Sequence, residues 1–277
     1  MTTPDLMLVD GHNLLYRSYY GFPSRIYARD RETDRTGVFG FAALLRKAQR
    51  QHAPTDEILV VFDAETGTSE RVEQDADYKA QRPAADPALF ASLDLIKQAL
   101  DQVCVRWIEQ ADAEADDVIA TLAARARAQD RSVQIMSVDK DFYQLLGDAK
   151  IRLLNTGMAE HRRYTAGADV IARFHVRPEQ WPDFRALMGD PADNIAGIRG
   201  IGPCTAARLL AEGRHLEQIP ADQIRPAWRD QWPRALRWRE MIRLRDCKNQ
   251  LPDNLPSGQA TAPLPAAHDL LTTLNLW

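Results

Sequence analysis

The stretch Leu-Met-Leu-Val-Asp-Gly at residues 6–11 is the part of the sequence that decides the fold. Four apolar residues that end at an acid and a glycine are typical of a buried strand that enters a turn. Asn13 is a suitable N-cap for a helix that follows this turn and runs to about Tyr20. The chain is therefore predicted to open with a buried strand followed directly by a helix.

The same succession of buried strand and helix recurs along the first 164 residues. Further strands are predicted at 58–62, 103–108 and 133–136, helices at 39–51, 87–100 and 114–129, and a hairpin at 151–154 and 161–164. Strands that alternate with helical stretches predict an α/β fold with a mostly parallel central sheet flanked by helices. Residues 64–86 are polar and aperiodic, which indicates a long loop or mobile segment.

An aspartate follows three of the predicted strands. Asp10 and Asp63 directly follow the first and the second, and Asp139 lies shortly beyond 133–136. Ligands of open parallel sheets bind beyond the carboxyl ends of the strands, so these carboxylates are expected to meet at one edge. This convergence is the first functional signal in the sequence.

Six further acids follow strands or occupy turns that could face the same edge. Acids in a first helical turn also complement the helix dipole, and Asp is common in turns, so each pair alone is a weak signal. The full set is Asp10, Asp63, Glu114, Asp116, Asp117, Asp139, Asp141, Asp190 and Asp193. Together these acids would repel one another unless cations compensated them. Oxygen ligands without His or Cys select Mg²⁺ or Mn²⁺, and so many carboxylates predict two ions about 4 Å apart.

The composition is that of an ordinary globular protein, with 45% hydrophobic and 27% charged residues. Three widely spaced cysteines argue against both a disulfide framework and a zinc site. The sequence shows no signal peptide and no apolar run of about 20 residues, so a cytoplasmic protein without a membrane segment is expected. The net charge of −4 does not exclude DNA, because the chain without the nine acids is positive.

Six motifs in sequence order resemble the 5′-nuclease (flap endonuclease) superfamily, in particular the bacterial 5′–3′ exonuclease domain of DNA polymerase I and its stand-alone relatives. The motifs are Val9-Asp10-Gly-His-Asn13, Val61-Phe-Asp63, Tyr78-Lys79-Ala-Gln-Arg82, Glu114-Ala-Asp116-Asp117, Asp139-Lys-Asp141 and Gly189-Asp190-Pro-Ala-Asp193-Asn194. The match extends from about residue 5 to about residue 250. The resemblance implies a PIN-like or Rossmann-like sheet, a helical arch at about 64–86 and a C-terminal helix-hairpin-helix region.

The resemblance also implies roles for individual residues. One metal would be served, directly or through water, by Asp10, Asp63, Glu114 and Asp116, with Asp117 in support, and the other by Asp139, Asp141, Asp190 and Asp193. Lys79 and Arg82 would be catalytic, because they would stabilise the charge that grows on the scissile phosphate. Tyr78 would stack on an unpaired base. Without the resemblance, Lys79 and Arg82 fit solvated charges on a flexible loop equally well.

A second DNA contact is implied at residues 195–210, where a glycine turn precedes a predicted helix. This stretch resembles the helix-hairpin-helix with which the family holds duplex DNA. The implied DNA-binding residues are Gly197, Gly200, Gly202 and Thr205, and K⁺ is the ion implied at this motif. Cys204 stands where many relatives have lysine, which removes a phosphate contact. A basic stretch at 234–248 is either a second duplex-facing surface or a solvated helix face.

The chain is expected to divide into a nuclease core at 1–178, a helix-hairpin-helix region at 179–251 and an extended tail at 252–277. The expected partners of this monomer are DNA with 5′ flaps, nicks or gaps, and RNA–DNA primers. The last residues, 273–277, loosely resemble peptides that dock on the bacterial sliding clamp. Packing of this segment onto the core is the favoured interpretation, and clamp docking is the alternative.

Three other functions are compatible with parts of the sequence. A metal-dependent RNase of a related fold is usually shorter and lacks a hairpin motif like the one near Gly200. An aspartyl phosphatase needs a second acid two residues after Asp10, where His12 stands. A binding-only module for branched DNA would not need the full set of carboxylates. The leading hypothesis is therefore a Mg²⁺-dependent, structure-specific 5′ nuclease that acts on DNA in replication and repair.

Overall fold

The computed structural model describes residues 3–64, 69–75, 78–81, 86–247 and 249–277. Its sheet consists of β1 (Leu6–Asp10), β2 (Glu57–Asp63), β3 (Arg106–Gln110), β4 (Val133–Met136), β5 (Ile151–Leu154) and β6 (Tyr164–Thr165). The strand order is β3-β2-β1-β4-β5-β6, and every pair is parallel except the antiparallel pair of β5 and β6. The predicted α/β fold with a mostly parallel sheet is confirmed.

Helices cover both faces of the sheet. In the described part of the chain they are α1 (Gly11–Tyr20), α2 (Thr36–His52), α3 (Ser69–Gln74), α4 (Pro87–Gln102), α5 (Ala115–Ala128), α6 (Gly167–Phe174), α7 (Trp181–Met188), α8 (Pro203–Leu209), α9 (Pro226–Arg229), α10 (Trp232–Ile242) and α11 (Ala267–Thr273). Helices α1, α2 and α4 share one hydrophobic core, whereas α5, α7, α8 and α10 share the other. From residue 181 to residue 242 the secondary structure is helical.

Strand β1 belongs to both cores at once. Leu6 and Leu8 pack into the core that contains α5, whereas Met7 and Val9 pack into the core that contains α1. Successive side chains of a strand point to opposite faces of the sheet, so a continuous apolar run is required where both faces are covered. This explains why the opening stretch has no polar alternation.

Several boundaries differ from the predicted ones. Asp10, not Asn13, caps α1, because its Oδ1 accepts a hydrogen bond from the Asn13 N–H at 2.9 Å. The third strand begins at Arg106 rather than at 103, since α4 continues to Gln102 and Cys104 turns the chain with a φ of 55°. In the predicted hairpin, residues 161 and 162 of the second arm belong to a 3-10 helix at Glu160–Arg162, and the strand that pairs antiparallel with β5 is shifted to Tyr164–Thr165.

The segment 64–86 is not an unstructured loop throughout. Residues Ser69–Gln74 form α3, and its Arg71 side chain is only 3% exposed. Arg71 is the one buried residue among those of this helix whose burial is described, so the helix has no apolar periodicity that would predict it. Residues 65–68, 76–77 and 82–85 lie outside the described residues.

The C-terminal residues form a strap over the fold, in contrast to the extended tail expected for 252–277. Thr261 hydrogen-bonds to the start of β2 through its Oγ1, which accepts from the Ile58 N–H at 2.7 Å. Helix α11 packs on α2, where Leu271 is fully buried. The ring of Trp277 stacks on Phe39 with centroids 5.4 Å apart. The aromatic end of the candidate clamp-docking segment is therefore packed against the core in this structure.

Among the described residues, none of the helices is both long and apolar enough to cross a lipid bilayer.

We expect Leu271→Ala to lower the free energy of unfolding by about 2–5 kcal/mol, because it opens a cavity between α11 and α2. Chemical denaturation of the whole chain measures this loss. Gln259→Ala, at an exposed position of the same strap, is the matched control and should change stability by less than about 0.5 kcal/mol. Equal stability of the two variants would show that the strap does not contribute to the fold.

Candidate active site

The carboxyl ends of the parallel strands form the floor of an acidic cavity. Asp10 ends β1, Asp63 ends β2, and Asp139 follows β4. Seven of the nine predicted acids line this cavity of about 180 Å³, namely Asp10, Asp63, Glu114, Asp116, Asp139, Asp141 and Asp193. The structure thus brings together acids that are up to 183 residues apart in the chain.

Hydrogen bonds hold several of these carboxylates in fixed orientations. Asp10 Oδ2 accepts from the Ser137 hydroxyl at 2.8 Å, and Asp63 Oδ1 accepts from the Ala115 N–H at 2.7 Å. The Asp63 N–H itself donates to Nδ1 of His12 at 3.1 Å. Because a backbone N–H can only donate, this contact requires an unprotonated His12 Nδ1. His12 therefore supports Asp63, a contact that the sequence does not indicate.

A second group of acids lies at one side of the cavity. Asp141, Asp190 and Asp193 each offer an oxygen atom within 4.8 Å of the others. Asp190 is fixed by Arg185, whose Nε donates to Asp190 Oδ2 at 3.1 Å. Oδ1 of Asp141 is buried and has no hydrogen-bond partner among the residues that the structure describes. A buried carboxylate oxygen without a donor is costly, and a cation would satisfy it.

The shifted pKa values of the acids reflect their crowding. Burial raises the pKa of Asp10 to about 7, and the charges of Asp63 and Asp139 add to this effect. Burial, followed by repulsion from Asp139, also raises the pKa of Asp116 and of Asp141 well above the ordinary value. A divalent cation would remove this repulsion, and an all-oxygen donor set suits hard ions such as Mg²⁺. The residues present therefore fit divalent metal.

Arg71 on α3 is a residue of this site that the sequence did not single out. Its guanidinium donates to Glu114 Oε2 at 2.5 Å and to both oxygens of Asp117 at 2.9 Å. Its Nε also donates to the Met241 carbonyl at the end of α10 at 2.9 Å. Burial alone would lower the pKa of Arg71, but the attraction of Glu114 and Asp117 raises it instead. Arg71 thus joins α3, α5 and α10 at the wall of the cavity.

Asp117 is not placed like the other acids. Its Oδ1 accepts from Arg71 and from the Arg245 N–H at 2.8 Å, and its Oδ2 accepts from Arg71. Asp117 does not line the cavity, in contrast to its neighbour Asp116. It supports the site through Arg71 and the chain after α10.

The turn after α3 places Tyr78 and Lys79 at Glu114. The Lys79 ammonium lies 2.8 Å from Glu114 Oε1, and the Tyr78 hydroxyl lies 3.3 Å from both Glu114 oxygens. Burial, followed by the charge of Glu114, raises the pKa of Tyr78, which is only 5% exposed. In this conformation the Tyr78 ring packs inside the protein and is not presented to solvent. Arg82 lies outside the described residues.

The glycines of the predicted hairpin differ in why they are needed. Gly197 has a φ of 69°, and a Cβ there would lie 2.4 Å from the Gly189 nitrogen, so the fold itself requires glycine. Gly200 also has a positive φ, of 86°. Gly202 caps α8, accepts from the Thr205 N–H at 3.0 Å, and has open space where a Cβ would be. Nothing in the described protein explains a glycine at 202.

The basic stretch at 234–248 does not form one uniform surface. Arg239 is buried and bound to Asp183, Glu217 and Glu240, so its guanidinium serves the fold. Arg234 and Arg237 are exposed, whereas Lys248 lies outside the described residues. Trp228 and Trp238 are buried in the hydrophobic core, and Trp232 packs against it.

Two protein-family models match the chain in succession. The first is described as the N-terminal resolvase-like domain of 5′–3′ exonuclease and matches residues 5–175. The second is described as the C-terminal SAM fold of 5′–3′ exonuclease and matches residues 176–257. Together they confirm the resemblance that the six motifs indicate.

Curated relatives agree with this match. Thermostable DNA polymerase I of Thermus thermophilus is 38% identical over 227 residues, which cover 81% of this chain and 26% of that protein. DNA polymerase I of Mycobacterium tuberculosis is 35% identical over 217 residues, which cover 78% of this chain and 24% of that protein. The chain spans about a quarter of the length of the curated relatives it matches.

Solved structures show the same fold. The bacteriophage T5 D15 flap endonuclease, in a complex with DNA and metal ions, aligns with a TM-score of 0.65 at 23% identity and covers 86% of this chain and 88% of its own. Human GEN1 in complex with Holliday junction DNA aligns with a TM-score of 0.60 at 9% identity and covers 99% of this chain and 68% of its own.

The raised pKa values of the cavity acids predict how the stability of the metal-free protein depends on pH. The pKa values of these acids are higher in the folded protein than in the unfolded chain. The stabilisation that is present at low pH is therefore lost as the pH rises, and for Asp10 it is lost as the pH rises through the folded pKa of about 7. The chelator-treated protein should therefore melt at a higher temperature near pH 5 than near pH 8, and Mg²⁺ should reduce this difference. Differential scanning calorimetry measures both effects. Asp10→Asn should flatten the pH dependence, and a steeper one would contradict the assignment.

Proposed function

The chain belongs to the 5′–3′ exonuclease family, and from this premise we propose that it is a divalent-metal-dependent nuclease that hydrolyses DNA at 5′ flaps, nicks or gaps. The observation that carries the proposal is the convergence of seven acids on one cavity at the sheet edge. Six of these acids are Asp and one is Glu, so the donor set consists of carboxylate oxygens. Such a set has no evident structural purpose, because it destabilises the fold unless cations are bound.

We assign the acids to two metal positions. One is held by Asp10, Asp63, Glu114 and Asp116, and the other by Asp139, Asp141, Asp190 and Asp193, with Asp117 outside both sets. Bound Mg²⁺ or Mn²⁺ would activate the attacking water and neutralise charge on the leaving oxygen. The hydrogen bonds from Ser137 and Ala115 keep Asp10 and Asp63 oriented for this role.

The segment that carries α3 and the following turn supplies the cationic groups. Lys79 is within reach of the cavity, and we propose that it and Arg82 stabilise the charge on the scissile phosphate. Tyr78 would have to leave its buried position beside Glu114 before it could stack on a base. The turn must therefore open, or shift, if Tyr78 contacts the substrate.

The turn before α8 is the proposed grip on duplex DNA. Gly197, Gly200, Gly202 and Thr205 shape it, and the open space at Gly202 would admit a sugar–phosphate backbone. A K⁺ ion at this turn, RNA–DNA primers as substrates, the monomeric state and a cytoplasmic location remain proposals that follow from the family. Docking on a sliding clamp would require Trp277 to leave Phe39.

Cleavage of a labelled 5′-flap duplex tests the proposed function. Mg²⁺ should support cleavage and excess chelator should stop it, because the cavity acids need a cation to bind the phosphate. Asp116→Asn should slow cleavage by about 100-fold or more, because it removes a proposed metal ligand. Asp130→Asn changes an exposed acid outside the cavity and should leave the rate unchanged. Product formation in chelator, or equal rates for both variants, would contradict a metal-dependent reaction.

A second test concerns the grip on DNA. We expect Gly202→Val to weaken duplex binding by about tenfold, because the new side chain would occupy the space left for the DNA backbone. Thermal stability should change little, since among the described residues no heavy atom beyond its immediate chain neighbours lies within 4 Å of the added Cβ. Gly197→Ala is the contrasting variant and should destabilise the fold instead. Unchanged DNA affinity of Gly202→Val, measured by fluorescence anisotropy, would remove this residue from the proposed interface.

A further inference from the structure

Arg71 and Lys79, which belong to the same segment, each contact one carboxylate oxygen of Glu114. Arg71 NH1 lies 2.5 Å from Oε2, and Lys79 Nζ lies 2.8 Å from Oε1. Glu114 is itself buried, so both contacts form away from bulk water. A divalent cation that approached Glu114 would meet a carboxylate whose two oxygens are both engaged by positive charge.

The two cations differ in how firmly they are held. The Arg71 guanidinium donates to Glu114, to Asp117 and to two main-chain carbonyls, those of Met241 and Arg243, and the side chain is 3% exposed. Lys79 is 15% exposed and lines the cavity, at the end of a flexible aliphatic side chain. Displacing Arg71 would leave Asp117 without its counter-charge, whereas Lys79 can move into the cavity.

Lys79 also shares the cavity with Asp116, a second proposed ligand of the same metal, since both residues line it. The ammonium, 2.8 Å from Glu114 Oε1, therefore neutralises part of the charge that a metal in this cavity would neutralise.

We propose that the Lys79 ammonium and a divalent cation compete for one cation position on Glu114, so that metal binding displaces Lys79 from this carboxylate. This inference rests on the proposed metal site and extends it. Without metal, Lys79 compensates the acidic cavity. With metal, the ammonium becomes available to a phosphate in the same cavity. One residue would thus couple metal occupancy to substrate binding.

The backbone of the turn is held in a strained conformation. Lys79 has a φ of 55°, a left-handed conformation that costs about 1 kcal/mol or more for a residue with a Cβ. Its N–H donates to the Asp193 carbonyl at 3.2 Å, and the Gln81 side chain donates to the Pro191 carbonyl at 2.8 Å. The turn is therefore bound to both groups of acids at once.

Calorimetric titration of the DNA-free protein with Mn²⁺ tests the competition directly. Lys79→Met should bind Mn²⁺ with a Kd about threefold or more lower than that of the wild type, because a competing charge is removed. Lys79→Arg keeps the charge and should stay closer to the wild type. The matched control is Lys97→Met: Lys97 has similar exposure, 18%, but pairs with Glu109 and does not line the cavity. Its Mn²⁺ affinity should equal that of the wild type.

Unchanged or weaker Mn²⁺ binding by Lys79→Met, with the variant folded as judged by its melting curve, would overturn the proposal. Cleavage of the flap duplex is measured separately. Tighter Mn²⁺ binding by Lys79→Met, together with no cleavage of DNA by the wild type, would support the competition and reject the proposed function. Cleavage by the wild type together with unaltered metal affinity of Lys79→Met would support the proposed function and reject the competition.

A measurement on the wild-type protein avoids any effect of substitution on folding. Acetic anhydride modifies exposed amines, and mass spectrometry reports the modified fraction of each lysine. Lys79 should be modified faster when Mn²⁺ is added, whereas Lys97 should not change. Equal protection of Lys79 with and without Mn²⁺ would show that metal does not displace the ammonium.

Discussion

Repulsion among buried carboxylates is the constraint on which the site depends. Parallel strands deliver Asp10 and Asp63 to one edge, and the turns after β3 and β4 add further acids within the same cavity. Burial makes each negative charge more costly, so the metal-free protein keeps protons on some acids and positions cationic side chains at others. The arrangement is stable only in combination with positive charge, which is why the geometry points so directly to metal chemistry.

Arg71 shows how the same constraint organises the parts around the cavity. A buried ion pair contributes little net stability, since desolvation offsets much of the attraction, but removing one partner leaves the other uncompensated. The ion pair between Arg71 and Asp117 therefore fixes the position of α3 relative to α5 more than it adds to the stability of the fold. Because the Arg71 side chain also reaches the carbonyls of Met241 and Arg243, the wall formed by α10 is held in register with the acids.

The features that have a local, periodic pattern in the sequence could be predicted from the sequence alone. Buried strands and the acids that follow them could be predicted because apolar runs and turn residues mark where a strand ends. The contacts of Arg71, the support of Asp63 by His12 and the identity of Phe39 as the partner of Trp277 could not be predicted. Each joins positions far apart in the chain through one or two side chains, and such pairs leave no period in the sequence. The capping exchange between Asn13 and Asp10 was missed because both residue types are good N-caps.

The division of β1 between two cores has a consequence for evolution by insertion and deletion. Loss of one residue within Leu6–Asp10 would turn every following side chain of the strand to the opposite layer and draw Asp10 back by about 3.3 Å. Both cores and the first carboxylate would be disrupted in one step. Lineages of this protein should therefore vary in the length of their loops while the spacing within this strand stays fixed.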